Sequence, residues 1–472
     1  MKKKHLVIVG VIILSAIVIL GLYQTFALSS DITKDTSGYY NVTITDGTTI
    51  TVPAGSTKTV YYKLTNTNKG IVKYGVGYSG TNITVKYYTD TIDPVTGTVD
   101  YGKSKYIKLS VENTGTTSST ATLSTILGYE NGGDLIVPSG VTLVTEVYTE
   151  PVIAATLITN LYNDATKTSV TNGSKTYQYD TTNSLMKDAA GHIRYYGASP
   201  NNYIYFNCSN YSSQTSTTCE KWRIIGYVDN KVKLIRGSQI GTFSWDNKND
   251  STGGTLTYGK NDWTNARIMR LLNPSTYYTT DSNDNGYGQS LYWNAKSGTC
   301  FFGANNATKP CDFTSIGIKN TTTKNLISET KYYLGGSNTF SIYSNQMYDY
   351  ERGKAVFTGR PTEWTGKVGL AYPSDYGYAA DFRSCTQDLD NYNNSACTSK
   401  NWMKAIIAPN YGALINPHSD VSYSIWRINQ NGGVGYNTAS TVYGITPVIY
   451  LDPKLAIKSG TGTSSSPYQL SV

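Results

Sequence analysis

The side chains with reactive or ligating chemistry in this 472-residue chain are few, and nearly all lie in its last two thirds. Cys208, Cys219, Cys300, Cys311, Cys385 and Cys397 form three neighbouring pairs, spaced 11, 11 and 12 residues apart. Six cysteines allow fifteen pairings. Three similar short spacings point to three local disulfides, each closing a surface loop rich in Ser, Thr and Asn. A metal site is the competing use of cysteine, but no CxxC occurs and the three histidines are scattered. His192 and His418 stand in no HExxH or GxSxG context, so no catalytic set is read from them. Asp281, Asn283 and Asn285, followed by Gly286, match the first half of a calcium loop. Position twelve is Tyr292 rather than Glu, so the bidentate ligand is missing and an ordinary polar turn competes with calcium. Trp245, flanked by Asp246 and Asn247 near a glycine-rich stretch, and Tyr287 beside the Asp281 loop are the expected ligand contacts. Aromatic faces stack on sugar rings, and amides form adaptable hydrogen bonds to neutral polar ligands.

These residues need an architecture, and the stretch Ser422 to Leu451 reads as its organising core. Ile425, Trp426 and Ile428 make a buried strand, and Asn429 to Gly433 a turn. Val434 and Tyr436 resume a strand, and Ile445 to Leu451 is an apolar, β-branched run suited to a central strand. Tyr372 to Tyr378 also reads as core.

Charged residues are only 15% of the chain, and 42 residues are Tyr. With abundant Thr, Ser, Asn and Gly this points to a β-rich protein with a neutral, polar surface. The formal charge is +8, and Lys2, Lys3 and Lys4 account for three of it. No basic run occurs elsewhere, which excludes nucleic acid as the expected partner.

After Lys2-Lys3-Lys4-His5 comes an apolar stretch from Leu6 to about Ala27. As a helix it would be roughly 33 Å long, enough to cross a bilayer core. The positive flank stays in the cytoplasm and the remainder is placed outside. Residues 1–30 are therefore expected to be a single-pass transmembrane anchor. A cleaved signal peptide, cut near Thr25-Phe26-Ala27, is the alternative.

Residues 31–150 alternate apolar and polar residues with a period of two, as in Val42/Ile44, Ile50/Val52 and Ile107/Leu109/Val111. Turn signals such as Pro53-Ala54-Gly55 and Asn113-Thr114-Gly115 separate these runs. Such spacing suggests an immunoglobulin-like antiparallel β-sandwich serving as a stalk. Residues 151–472 differ in composition, since all seven Trp and all six Cys lie between Cys208 and Trp426. This unit is expected to be a disulfide-stapled α+β head on a mainly β protein.

A resemblance supports the head. Trp222-Arg223-Ile224-Ile225-Gly226, Asn261-Asp262-Trp263, Trp364-Thr365-Gly366, Gly369 to Ala379, Ile425-Trp426-Arg427-Ile428 and Ile445 to Leu451 occur in this order. The series resembles an uncharacterised module of gut Firmicutes surface proteins. More distantly, it is similar to the C-type-lectin-like fold of the formylglycine-generating-enzyme group. The likeness covers roughly Arg194 to Leu470, and its motifs are core-forming, so they imply fold more than activity. The enzyme branch needs a reactive cysteine pair, whereas here each cysteine has a neighbour to close a loop with.

The sequence thus leads to a membrane-anchored extracellular surface protein. Its head is expected to bind a glycan or a host or bacterial surface protein, without catalysis and without a cofactor beyond the calcium just weighed. A structural subunit of an envelope layer or pilus-like fibre is the alternative, with an extracellular enzyme behind both.

Overall fold

A computed structural model describes residues 42–66, 72–87, 97–99, 104–131, 134–136, 143–148, 152–247, 258–279, 287–303, 307, 309–339 and 341–472. The expected N-terminal transmembrane helix falls outside these residues. Among the described residues no helix is long and apolar enough to cross a membrane. The protein is mainly β, with several sheets, and divides into two compact units between Glu150 and Pro151.

In the first unit the alternating runs form two antiparallel sheets. One orders the strands Val42–Val52, Ser119–Asn131, Val72–Ser79 and Gly97–Val99, with Asp134–Ile136 added beside Ser119–Asn131. The other orders Ile83–Tyr87, Ser104–Asn113, Thr57–Asn66 and Leu143–Tyr148. Val52, Ile83, Val85, Val111 and Ala121 are buried. Buried Asn113 locks one end: its amide donates to the carbonyls of Val52 (2.9 Å) and Thr117 (2.8 Å), and its side-chain oxygen accepts from Gly115 N–H.

The second unit is built on a large antiparallel sheet. Its order runs Lys167–Asn172, Lys175–Asp180, Leu185–Lys187, Ile193–Tyr195, Glu220–Val228, Lys231–Arg236, Val448–Tyr450 and Val368–Gly369. Tyr203–Phe206 pairs with Glu220–Val228. The central strands are apolar on successive residues, as in Ile224-Ile225 and Leu234-Ile235, because both faces are covered. Trp222, Ile224 and Leu234 enter one core with Trp245, Trp263 and Trp364. Ile225, Ile235 and Val448 enter the other with Tyr177, Tyr179, Trp402 and Trp426. The helix Ala154–Asp164 buries Ala154, Ile158 and Tyr162, four residues apart, on one stripe.

The second unit holds a further sheet. It orders Thr242–Ser244, Val442–Gly444, Gly412–Pro417, Ser424–Ile428 and Val434–Thr438. The last two form the expected hairpin, with Trp426 opposite Tyr436 and Gly432 at a φ of +96° in the turn. The run Ile445 to Leu451 is not one strand. Ile445 N–H bonds to Gly241 at the second sheet, and after Pro447 the chain joins the large sheet as Val448–Tyr450. This single run therefore ties the two sheets together. Most tyrosines here are structural rather than surface residues: Tyr177, Tyr179, Tyr195, Tyr332, Tyr372, Tyr376, Tyr378 and Tyr450 are almost fully buried.

The cysteines pair as Cys208–Cys219, Cys300–Cys311 and Cys385–Cys397. None of the six is left as a free thiol.

Candidate functional site

The loop from Ser419 to Tyr423 joins the strands Gly412–Pro417 and Ser424–Ile428 and gathers exposed rings and amides around it. Tyr423 stacks on Tyr258, with ring centroids 4.8 Å apart and planes 24° from parallel. Tyr258 is 46% exposed and Tyr436 37% exposed. The Tyr436 ring stands edge-on to His418 at 4.3 Å. Asp420 and Asn338 are exposed beside them, and the Asn338 amide donates to Asp420 Oδ2 at 2.6 Å. The face offers aromatic surfaces flanked by amide and carboxylate oxygens, the composition that suits a neutral, hydroxyl-rich ligand.

The loop is held from beneath. Buried Asn261 donates its side-chain amide to the carbonyls of His418 (3.1 Å), Val421 (2.7 Å) and Ser424 (3.0 Å). Arg360 donates to Asn261 Oδ1 and to the Ser422 carbonyl, both at 3.0 Å. Asp420 N–H donates to His418 Nδ1 at 3.2 Å. Burial holds the His418 imidazole below its usual pKa, so the ring is neutral at physiological pH. Hydrogen bonds from Asn338 and Ser419 hold the Asp420 carboxyl below the usual range, so it stays ionised.

Trp245, Asp246 and Asn247 are not surface contacts, which corrects the expectation from sequence. They are 0%, 1% and 0% exposed. Trp245 packs 5.5 Å from Trp263 and donates its indole N–H to the Leu414 carbonyl at 3.0 Å. Asp246 accepts the backbone N–H of Lys260 on one oxygen and that of Arg267 on the other. Asn247 donates to the Gly303 carbonyl and accepts from Arg267 Nε. The three residues brace the chain that delivers Tyr258. Gly259 completes the brace: its φ is +73°, and a Cβ there would lie 2.1 Å from the Asp246 carbonyl oxygen. Only glycine passes so close, and that passage sets Tyr258 against Tyr423.

Tyr287 is 41% exposed, but among the described residues no second ring is stacked against it as Tyr258 is against Tyr423. Its neighbour Gly288 and Ser244, beside Trp245, line a common cavity of about 10 Å³ with Arg267 and Phe301. That volume is too small for anything beyond a single water. Asp281, Asn283 and Asn285 lie outside the described residues. Among the described residues no group of three His, Cys, Asp or Glu is placed to hold a metal ion.

The densest charge in the second unit is closed off from solvent. Asp375 bonds Arg194 Nη1 at 2.7 Å and Lys233 Nζ at 2.5 Å, and Arg194 Nε reaches Asp188 at 2.5 Å. Asp375 also accepts the Tyr372 N–H, capping the short helix Pro373–Tyr378. Glu351 accepts Ser374 N–H (2.7 Å) and Oγ–H (2.5 Å). With Asp188, Asp375 and Glu351 all buried, this cluster ties the large sheet to the helices Ser344–Arg352 and Pro373–Tyr378 rather than meeting a ligand.

Sequence reading missed Tyr258, Tyr423 and Tyr436. Tyr436 had a signal, since it shares a strand with buried Val434 and lies across from Trp426. Tyr258 had only the glycine that follows it. No family model, curated protein or solved structure matches this chain.

Proposed function

We propose that the protein is a membrane-anchored extracellular protein whose C-terminal unit binds a glycan through the Tyr258–Tyr423–Tyr436 face. The observation that carries the reading is that face itself, with three partly exposed rings and the Asn338–Asp420 pair around one braced loop. Export is supported by the Lys2–Lys4 flank and the apolar stretch after it, and by three disulfides, which persist in oxidising compartments. The two antiparallel sheets of the first unit support an immunoglobulin-like stalk. The loop-borne site on a mixed second unit supports a C-type-lectin-like head. Calcium at Asp281, Asn283 and Asn285 belongs to this proposal as an optional ligand.

One observation favours the fibre or envelope-layer reading. Val434–Thr438 is an edge strand that carries Tyr436, and edge strands accept a strand from a second copy. A glycan array probed with the full chain, beside its elution volume in size exclusion, separates the two. Retention on a glycan class by a monomer supports the lectin reading. Concentration-dependent assembly with no glycan bound replaces it with the structural one.

A further inference from the structure

Arg223 lies on the strand Glu220–Val228 and is 6% exposed. Its guanidinium is clamped between two rings, 3.8 Å from the Tyr203 centroid and 4.7 Å from that of Trp402. Nε donates to Asn202 Oδ1 and Nη2 to the Pro200 carbonyl at 3.2 Å. Asn202 is fixed in turn by donating to the Ile224 carbonyl at 2.7 Å. Nη1 makes no hydrogen bond among the described residues.

The missing partner is a counter-charge. Three other arginines of this unit have one: Arg194 meets Asp188 and Asp375, Arg236 meets Glu220, and Arg352 meets Asp229, whereas half-buried Arg360 and Arg427, like Arg223, meet no carboxylate among the described residues. Among the described residues no carboxylate lies within ion-pair distance of Arg223. An uncompensated cation away from water is costly, and two neutral acceptors and two ring faces offset that only in part. Burial pulls the Arg223 pKa down to about 10, so it remains charged at neutral pH.

Access exists at the rim. Ser199 and Asn201 are exposed on either side of Pro200, and Tyr203 is half-buried. Lys221, two residues along the strand and so on the same face, is exposed and adds positive potential. With Nε tied to Asn202 and one Nη2 hydrogen to Pro200, Nη1 and the second Nη2 hydrogen remain, and that end of the fork matches the two oxygens of a carboxylate.

We propose that Arg223, clamped by Tyr203 and Trp402 and oriented by Asn202, anchors a carboxylate-binding site apart from the tyrosine face. The ligand class is an acidic sugar of the uronate type, whose carboxylate takes the fork. The sugar part rests on the glycan reading of this unit, whereas the carboxylate part does not.

The test is saturation-transfer NMR on the full chain with glucuronate, acetate and glucose as probes. Glucuronate and acetate should give transfer and glucose none at this site. Arg223→Met should abolish glucuronate transfer. Arg223→Lys, which keeps the charge and loses the fork, should weaken it by roughly tenfold or more. Both variants should leave neutral-glycan binding at Tyr258, Tyr423 and Tyr436 unchanged, so failure here is separable from failure of the glycan reading. Acetate binding without any gain from the sugar ring supports the carboxylate site and removes the uronate assignment. No transfer from glucuronate or acetate to the wild-type chain overturns the proposal, and so does glucuronate binding that survives Arg223→Met.

Discussion

Glu351 and Asp375 sit in one buried cluster and titrate in opposite directions. Burial works against ionisation of both. For Asp375, Lys233 and Arg194 outweigh burial and hold its pKa at about 2. For Glu351, Arg352 and Ser374 offset burial only in part, and its pKa rises to about 7. The folded chain therefore holds a proton on Glu351 that the unfolded chain releases above its ordinary value of 4.5. Stability must fall as pH rises across that window, by at most about 3 kcal/mol. Asp375 contributes stability that is present above its ordinary value and is lost only as pH falls through about 2. Denaturant unfolding of Glu351→Gln at pH 5 and pH 7.5 checks the first statement. The variant should gain on the wild type as pH rises, and parallel behaviour would show that Glu351 is not burying a proton. Trp245→Ala belongs to the same scale. It removes a fully buried indole and its hydrogen bond to Leu414, so a loss of about 3–5 kcal/mol is expected. Tyr436→Ala, on the surface, should cost about 0.5 kcal/mol or less in the same unfolding measurement. The sequence around Trp245 could not distinguish these fates. What buries it is Leu414 and Trp263, and only the folded chain brings Leu414 beside it.

Short-range elements were the most legible. The hairpin of Ser424–Ile428 and Val434–Thr438 followed from alternation plus an Asn/Gly turn, both local. The cysteine pairs followed from spacing, because a loop of about a dozen residues closes readily. The loop from Cys385 to Cys397 holds two short helical turns, N-capped by the side chains of Asp388 and Asn394, and both cysteines are fully buried. Replacing both cysteines with Ser should lower stability by about 2–4 kcal/mol, read as a shifted denaturation midpoint of the oxidised protein. Elements that change sheets were not legible. Ile445 to Leu451 looks like one strand because all but Thr446 and Pro447 are apolar or aromatic, and nothing local says that Ile445 and Val448 answer to different sheets. The Tyr258 turn was hidden for a related reason: Gly259 is required by the carbonyl of Asp246, thirteen positions earlier.

At the scale of the whole molecule, the division between Glu150 and Pro151 leaves all seven Trp and all six Cys, which begin at Cys208, in the second unit. The first unit is held by sheet pairing and by apolar side chains that include Val52, Ile83, Val85, Val111 and Ala121, and nothing in its described residues gathers as a site. The second unit concentrates the tryptophans, the disulfides and the buried charges, and that rigidity is what a loop-borne binding face needs. Low charge and many hydroxyl and amide side chains suit a partner recognised through ring faces and hydrogen bonds. The most direct test of this account is the affinity of the full chain for glycans, compared between wild type and Tyr258→Ala/Tyr423→Ala/Tyr436→Ala. The account predicts that the wild type retains a glycan class and that the triple variant loses at least roughly tenfold in affinity while melting within a few degrees of wild type. A wild-type chain that binds no glycan, or a triple variant that binds as well as wild type, would contradict it.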